Sequence, residues 1–112
     1  MSAKTIALIE NDMVNASLFS HFAGSHHNLI VLDTTAKAIK LLDTDPPDLL
    51  FIEYQLPDGS ALDVLDYIRA QHIELKSIII TKLSGINVIR DCKNRGAFDF
   101  LPKPFDEIQV QE

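Results

Sequence analysis

Five short apolar runs recur along this chain with helix-length stretches between them, and that alternation constrains the fold more than any single motif. The runs are "TIALIE" (5–10), "NLIVLD" (28–33), "DLLFIE" (48–53), "SIIIT" (77–81) and "FDFL" (98–101). Near-continuous apolar runs fit strands covered on both faces, as in a parallel sheet. Between them, "MVNASLFSHFAG" sets Val14, Leu18 and Phe22 at four-residue spacing, which predicts a helix with these on its core side and Gly24 as its stop. "TTAKAIKLLD" brings Ala38, Leu41 and Leu42 to one side, and Pro46-Pro47 bars any continuation. "SALDVLDYIRAQ" starts on Ser60 as N-cap, has Asp63 at the third helical position and stripes Leu62, Leu65 and Ile68. "GINVIRDCKNRG" aligns Ile86, Ile89 and Cys92 before Gly96, and "PFDEIQV" reads as the start of a fifth helix.

Strand–helix–strand units of this length predict right-handed crossovers and an α/β fold: a (βα)5 doubly wound parallel sheet with helices on both faces. A length of 112 residues makes one domain, 1–112, with a modest core. Asp and Glu outnumber Lys and Arg 16 to 10, so the general surface is wrong for gripping nucleic acid or anionic lipid. Cys92 is the only cysteine, which excludes an intrachain disulfide, and its helical position reads as packing. No run approaches the roughly 18 apolar residues of a membrane span, and the N-terminus lacks a signal-peptide core. The expected location is cytoplasmic.

In an open parallel sheet, chemistry gathers beyond the carboxyl ends of the strands. Here those ends carry Glu10-Asn11-Asp12, Asp33-Thr34, Glu53-Tyr54-Gln55, Thr81-Lys82 and Lys103-Pro104. His26-His27 are adjacent on a loop, a poor arrangement for converging on a metal. No glycine-rich phosphate loop, Walker motif or convincing Ser/His/Asp set occurs, which leaves a flavodoxin-like small-molecule binder without support.

Two carboxylates, a hydroxyl and a lysine at four strand ends resemble the receiver domain of a two-component response regulator, CheY-like, over essentially the whole chain. "ALIEND" stands where that family has its acidic pair, "PDLLFIEYQLPDGSALDVL" where it has its phosphoacceptor, with Glu53 at the acceptor position. "SIIIT" supplies the switch hydroxyl Thr81, and "GAFDFLPKPF" the switch aromatic Phe100 and the phosphate-binding Lys103. The resemblance implies a flavodoxin-like strand order 2-1-3-4-5 and a cis bond before Pro104. It also implies phosphorelay chemistry, in which an aspartate accepts a phosphoryl group with Mg²⁺ held by acidic side chains and a backbone carbonyl.

The sequence departs from that pattern where the chemistry would occur. The acceptor is Glu53 rather than aspartate, and the acidic pair reads Glu10-Asn11, with Asp12 one residue too far along to replace the missing carboxylate. Lys82 follows Thr81 where the family has a small residue, and Ala61 stands where it has glycine. With Lys82 as internal counter-ion beside Lys103, the pocket would be neutral without metal. Glutamate reaches further than aspartate by one methylene, roughly 1.3–1.5 Å, so Glu53 would partly fill the space of a phosphoryl group.

The expectation is therefore a pseudo-receiver: a non-enzymatic, phosphorylation-independent interaction module with no cofactor, binding Mg²⁺ only if the degenerate acidic pocket still permits it. The alternative is a working receiver phosphorylated by a histidine kinase. Partners would be a kinase, an output domain or another signalling protein, with a homodimer possible and neither nucleic acid nor membrane contacted. They would use the face of the fourth helix, fifth strand and fifth helix, with Ile86, Arg90, Asn94, Phe98 and the tail after Phe105. The short end after Lys103 suggests a receiver excised from a longer protein.

Overall fold

The computed structural model describes residues 4–23, 28–82 and 86–103, without the side chains of Phe22, Ala23 and Ile86. In chain order these form β1 (Thr5–Ile9), α1 (Met13–Ala23), β2 (Asn28–Leu32), α2 (Thr35–Thr44) and β3 (Leu49–Glu53). A two-residue-strand hairpin follows, β4 (Gln55–Leu56) and β5 (Gly59–Ser60), then α3 (Ala61–Ala70), β6 (Lys76–Thr81), α4 (Ile86–Asn94) and β7 (Asp99–Pro102). The main sheet is parallel throughout and runs β2-β1-β3-β6-β7. With the small hairpin set aside, that is the expected 2-1-3-4-5 order. The hairpin was not anticipated from the sequence. Its antiparallel pairs Gln55–Ser60 and Leu56–Gly59 fold the Pro-Asp-Gly corner back and bury Leu56.

The period of two along each strand sorts side chains into two cores. Ala7, Ile9, Leu50, Ile52 and Ile79 face Ala38 and Leu42 of α2, Val64, Leu65 and Ile68 of α3, and Cys92 of α4. Ile6, Leu8, Phe51, Ile80 and Leu101 face the other way and meet Phe19 of α1. The Phe19 and Phe51 rings pack edge to face, with centroids 4.7 Å apart at 62°.

The expected core stripe of α1 is corrected by this arrangement. Phe19 is fully buried and Ala16 packs beside it, whereas Val14 is 76% exposed and Leu18 36%. A strict four-residue spacing advances roughly 400° per step, so such a row drifts around the helix instead of following one face. The row beginning Val14–Leu18 runs along the flank, and the buried line is set by Phe19.

Helix ends follow local chemistry. The Ser60 hydroxyl accepts from Leu62 N and the Asp63 carboxylate accepts from Ser60 N at 3.0 Å, closing the capping box of α3. The Thr34 hydroxyl accepts from Lys37 N to cap α2. At the other end of α3, Ile73 N donates to Ile68 O and His72 N to Arg69 O. At the end of α4, Ala97 N donates to Cys92 O and Gly96 N to Lys93 O. Both are Schellman motifs, which need a left-handed residue. Gly96 supplies it at φ 100°, and His72 does so at φ 54° without being glycine.

Among the described residues, no helix is long and apolar enough to cross a membrane. The expected stop at Gly24, the His26-His27 pair, the bond before Pro104 and the fifth helix lie outside the described residues.

Candidate functional site at the strand ends

Backbone ladders carry on past the strands and fix the residues that follow them. Glu10 N donates to Leu32 O at 2.8 Å, Tyr54 N to Ile80 O at 3.0 Å and Lys103 N to Thr81 O at 2.9 Å. Leu8 is level with Phe51 and Ile9 with Ile52, so Glu10 and Glu53 come side by side at the ends of adjacent strands. Both continue the alternating row that holds Leu8 and Phe51. Lys103, two strands over, reaches back past buried Thr81.

The result is a buried triad. Lys103 Nζ lies 2.6 Å from Glu53 Oε1 and also contacts Glu10 Oε1. Side-chain exposure is 5% for Lys103, 2% for Glu10 and 11% for Glu53, so all three charges are withdrawn from water. Glu10 Oε1 has the ammonium as its partner through this ion contact and makes no aligned hydrogen bond. The remaining oxygens face the loops: Gln55 N donates to Glu53 Oε2 at 3.3 Å and Asp12 N to Glu10 Oε2 at 3.4 Å. Burial pushes the Lys103 pKa down, but Glu10 and then Glu53 outweigh it and hold the lysine above its ordinary value.

The neighbouring residues take different parts. Asp12 is the N-cap of α1: its Oδ1 accepts from Val14 N at 2.9 Å and Asn15 N at 3.3 Å, and its Oδ2 accepts from the Asn15 amide. The backbone N–H groups of Asn15 and then Val14 hold the exposed Asp12 carboxyl below its ordinary pKa. Asn11 is exposed at the rim. Lys82, the expected counter-ion, does not join the triad: it is exposed at the mouth of the cleft and makes no ion pair among the described residues. Lys103 already occupies the position between the carboxylates. Thr81 is 2% exposed and lines the same cleft, a depression of about 430 Å³ with Gln55, Leu56 and Pro57 on its far side. Phe100 is half-buried on β7 and packs against the α2–α3–α4 core, outside the cleft lining.

One contributor was missed from the sequence. Asp58 accepts from Thr35 N at 2.8 Å and Ala36 N at 3.0 Å, tying the loop after Glu53 to the start of α2. The Thr35 N–H first, and the Ala36 N–H behind it, hold the Asp58 carboxyl below its ordinary pKa against desolvation. Pro57-Asp58-Gly59 is turn chemistry by residue type, but no local pattern points to a partner in another helix.

A model of the response regulator receiver domain matches residues 6–112, nearly the whole chain. The chain belongs to this family. The receiver is 38% identical over 68 residues to the DNA-binding transcriptional regulator NtrC of Proteus hauseri, covering 61% of this chain and 14% of that protein. It is 37% identical over 76 residues to the response regulator protein PilR of Pseudomonas aeruginosa, covering 68% of this chain and 17% of that protein. The receiver thus spans less than a fifth of either regulator's length. Its fold superposes on the signal receiver domain of a Luxo repressor protein from Vibrio parahaemolyticus with a TM-score of 0.93, at 26% identity over 98% of this chain and 85% of that one. These likenesses make it a two-component signalling module.

The Mg²⁺ that the family implies does not fit the residues of this receiver. Mg²⁺ is held by carboxylate oxygens whose charge is not already balanced by another cation. Glu10 and Glu53 have each of theirs engaged, by Lys103 or by a loop N–H. Asn11 contributes no charge, and Asp12 is bound to the first turn of α1. Among the described residues, no three His, Cys, Asp or Glu side chains are grouped to hold a metal.

Proposed function

We propose that this receiver is a pseudo-receiver, a protein-interaction module that works without phosphorylation and has Glu53 in place of the phosphoacceptor aspartate. The observation that supports it is the 2.6 Å contact between Glu53 Oε1 and Lys103 Nζ. The longer side chain carries its carboxylate to the lysine and engages the group that would otherwise bind a phosphoryl oxygen. Thr81 lines the same cleft as the Glu53–Lys103 pair. The domain is read as non-enzymatic, with a protein partner in the same signalling pathway.

The partner surface in this reading is the face of α4 and β7. Arg90 and Asn94 are exposed on α4, and Phe98 is 55% exposed just before β7, with Lys76 Nζ 4.7 Å from its ring centroid. Charge reversal at Arg90 is expected to weaken partner capture, measured against a kinase or output domain from the same pathway. Unchanged capture would move the interface elsewhere.

Likeness to NtrC and PilR regulators favours a second reading, a working receiver phosphorylated on Glu53. Intact-mass measurement after treatment with acetyl phosphate separates the two. The expected mass is unchanged. A phosphoryl adduct that disappears in Glu53→Gln would overturn the proposal and establish the working receiver.

A further inference from the structure

We propose that the Lys103 ammonium is the resident cation of this pocket, occupying the place of a divalent metal, and that the pocket becomes a divalent-cation site only when that ammonium is removed. The inference deepens the proposed function and rests on that reading of the same site.

Glu10 and Glu53 lie side by side at the ends of β1 and β3, with side chains 2% and 11% exposed. Two buried carboxylates in one place call for a cation or a shared proton, because like charges withdrawn from water are strongly unfavourable. Lys103 meets that requirement from within the chain, touching an Oε1 of each. The Oε2 atoms are turned to Asp12 N and Gln55 N. A divalent ion approaching the two Oε1 atoms would therefore meet a covalently tethered ammonium already in contact with both.

The geometry also explains which feature excludes the metal. Replacement of the second acidic residue by Asn11 removes one donor. It leaves Glu10 and Glu53, which remain an acidic pair open to the cleft once Lys103 is neutral. Asn11 thus leaves one donor fewer, and Lys103 holds the two carboxylates that remain; in this proposal its removal frees that pair for a cation.

The test is a Mn²⁺ titration followed by paramagnetic broadening of the backbone amides of residues 10–12 and 53–55, with circular dichroism to confirm the fold. The wild-type chain is expected to show no saturable site. Lys103→Met is expected to gain one, with apparent affinity at least about tenfold above the weak, non-saturating association of the wild type. Adding Glu10→Gln to Lys103→Met is expected to abolish the gain. If Lys103→Met does not fold, Lys103→Gln, which keeps donors for the carboxylates, serves in its place.

Saturable broadening around Glu10 and Glu53 in the wild type would overturn the proposal, as would a folded Lys103 variant with no gain. Failure here is distinguishable from failure of the proposed function. An acetyl-phosphate adduct on a wild-type chain that binds no Mn²⁺ would sink the phosphorylation-independent reading alone. Saturable Mn²⁺ binding without an adduct would sink the resident-cation proposal alone.

Discussion

Lys103 faces two buried carboxylates, so its loss is felt more than that of a surface lysine. Removing one member of a buried ion cluster leaves uncompensated charge, and Lys103→Ala is expected to cost about 3 kcal/mol in urea unfolding. Glu53→Gln alone removes one of the two anions and leaves Lys103 paired with Glu10, so its effect is smaller. The double variant should be less destabilised than the sum of the singles, because the two groups touch. Strict additivity in that cycle would mean the contact does not exist in solution. The pH dependence has a defined sign. The folded Lys103 pKa is raised above 10.5, so its stabilisation is complete below the ordinary lysine value and lost as pH rises through the folded one. The stability gap between wild type and Lys103→Met should hold at neutral pH and shrink in alkaline solution as Lys103 deprotonates.

At the scale of elements, the two cores make contrasting predictions for one helix. Phe19→Ala opens a cavity against Phe51 and is expected to cost about 3–5 kcal/mol. Val14→Ser lies on the exposed flank and should stay within about 0.5 kcal/mol. Chemical denaturation of the pair checks which face of α1 is inside. His72 holds a left-handed conformation at the end of α3, so His72→Gly is expected to raise stability by up to about 1 kcal/mol. Gly59 has the opposite constraint. A Cβ there would stand 2.5 Å from Asp63 Oδ2, the atom that accepts from Ser60 N. Gly59→Ala should open the capping box at a cost of about 1 kcal/mol in thermal unfolding.

Across the whole molecule, the sheet was legible because each strand announces itself locally. Apolar runs end on polar residues, and the end residues Glu10, Glu53, Thr81 and Lys103 follow from that punctuation. The strand order came with the family resemblance. Other features depend on three-dimensional reach. Nothing near Val14 and Leu18 reveals that Phe19 takes the core position, because every one of them is apolar. The choice between Lys82 and Lys103 as counter-ion is decided by the path of the backbone after each strand. Asp58 finds its partners in a helix 22 and 23 residues away, where no short-range pattern extends.

The triad joins the first, third and last strands of the sheet, with Lys103 and Glu53 separated by 50 residues in sequence. A contact of that span carries a large loop-closure cost, and the expectation is that it closes late, once the chain between has been ordered. The clasp therefore acts on the lifetime of the native state more than on the speed of reaching it. Lys103→Met is expected to steepen the loss by raising the unfolding rate while leaving the refolding rate nearly unchanged, which stopped-flow chevrons would read directly.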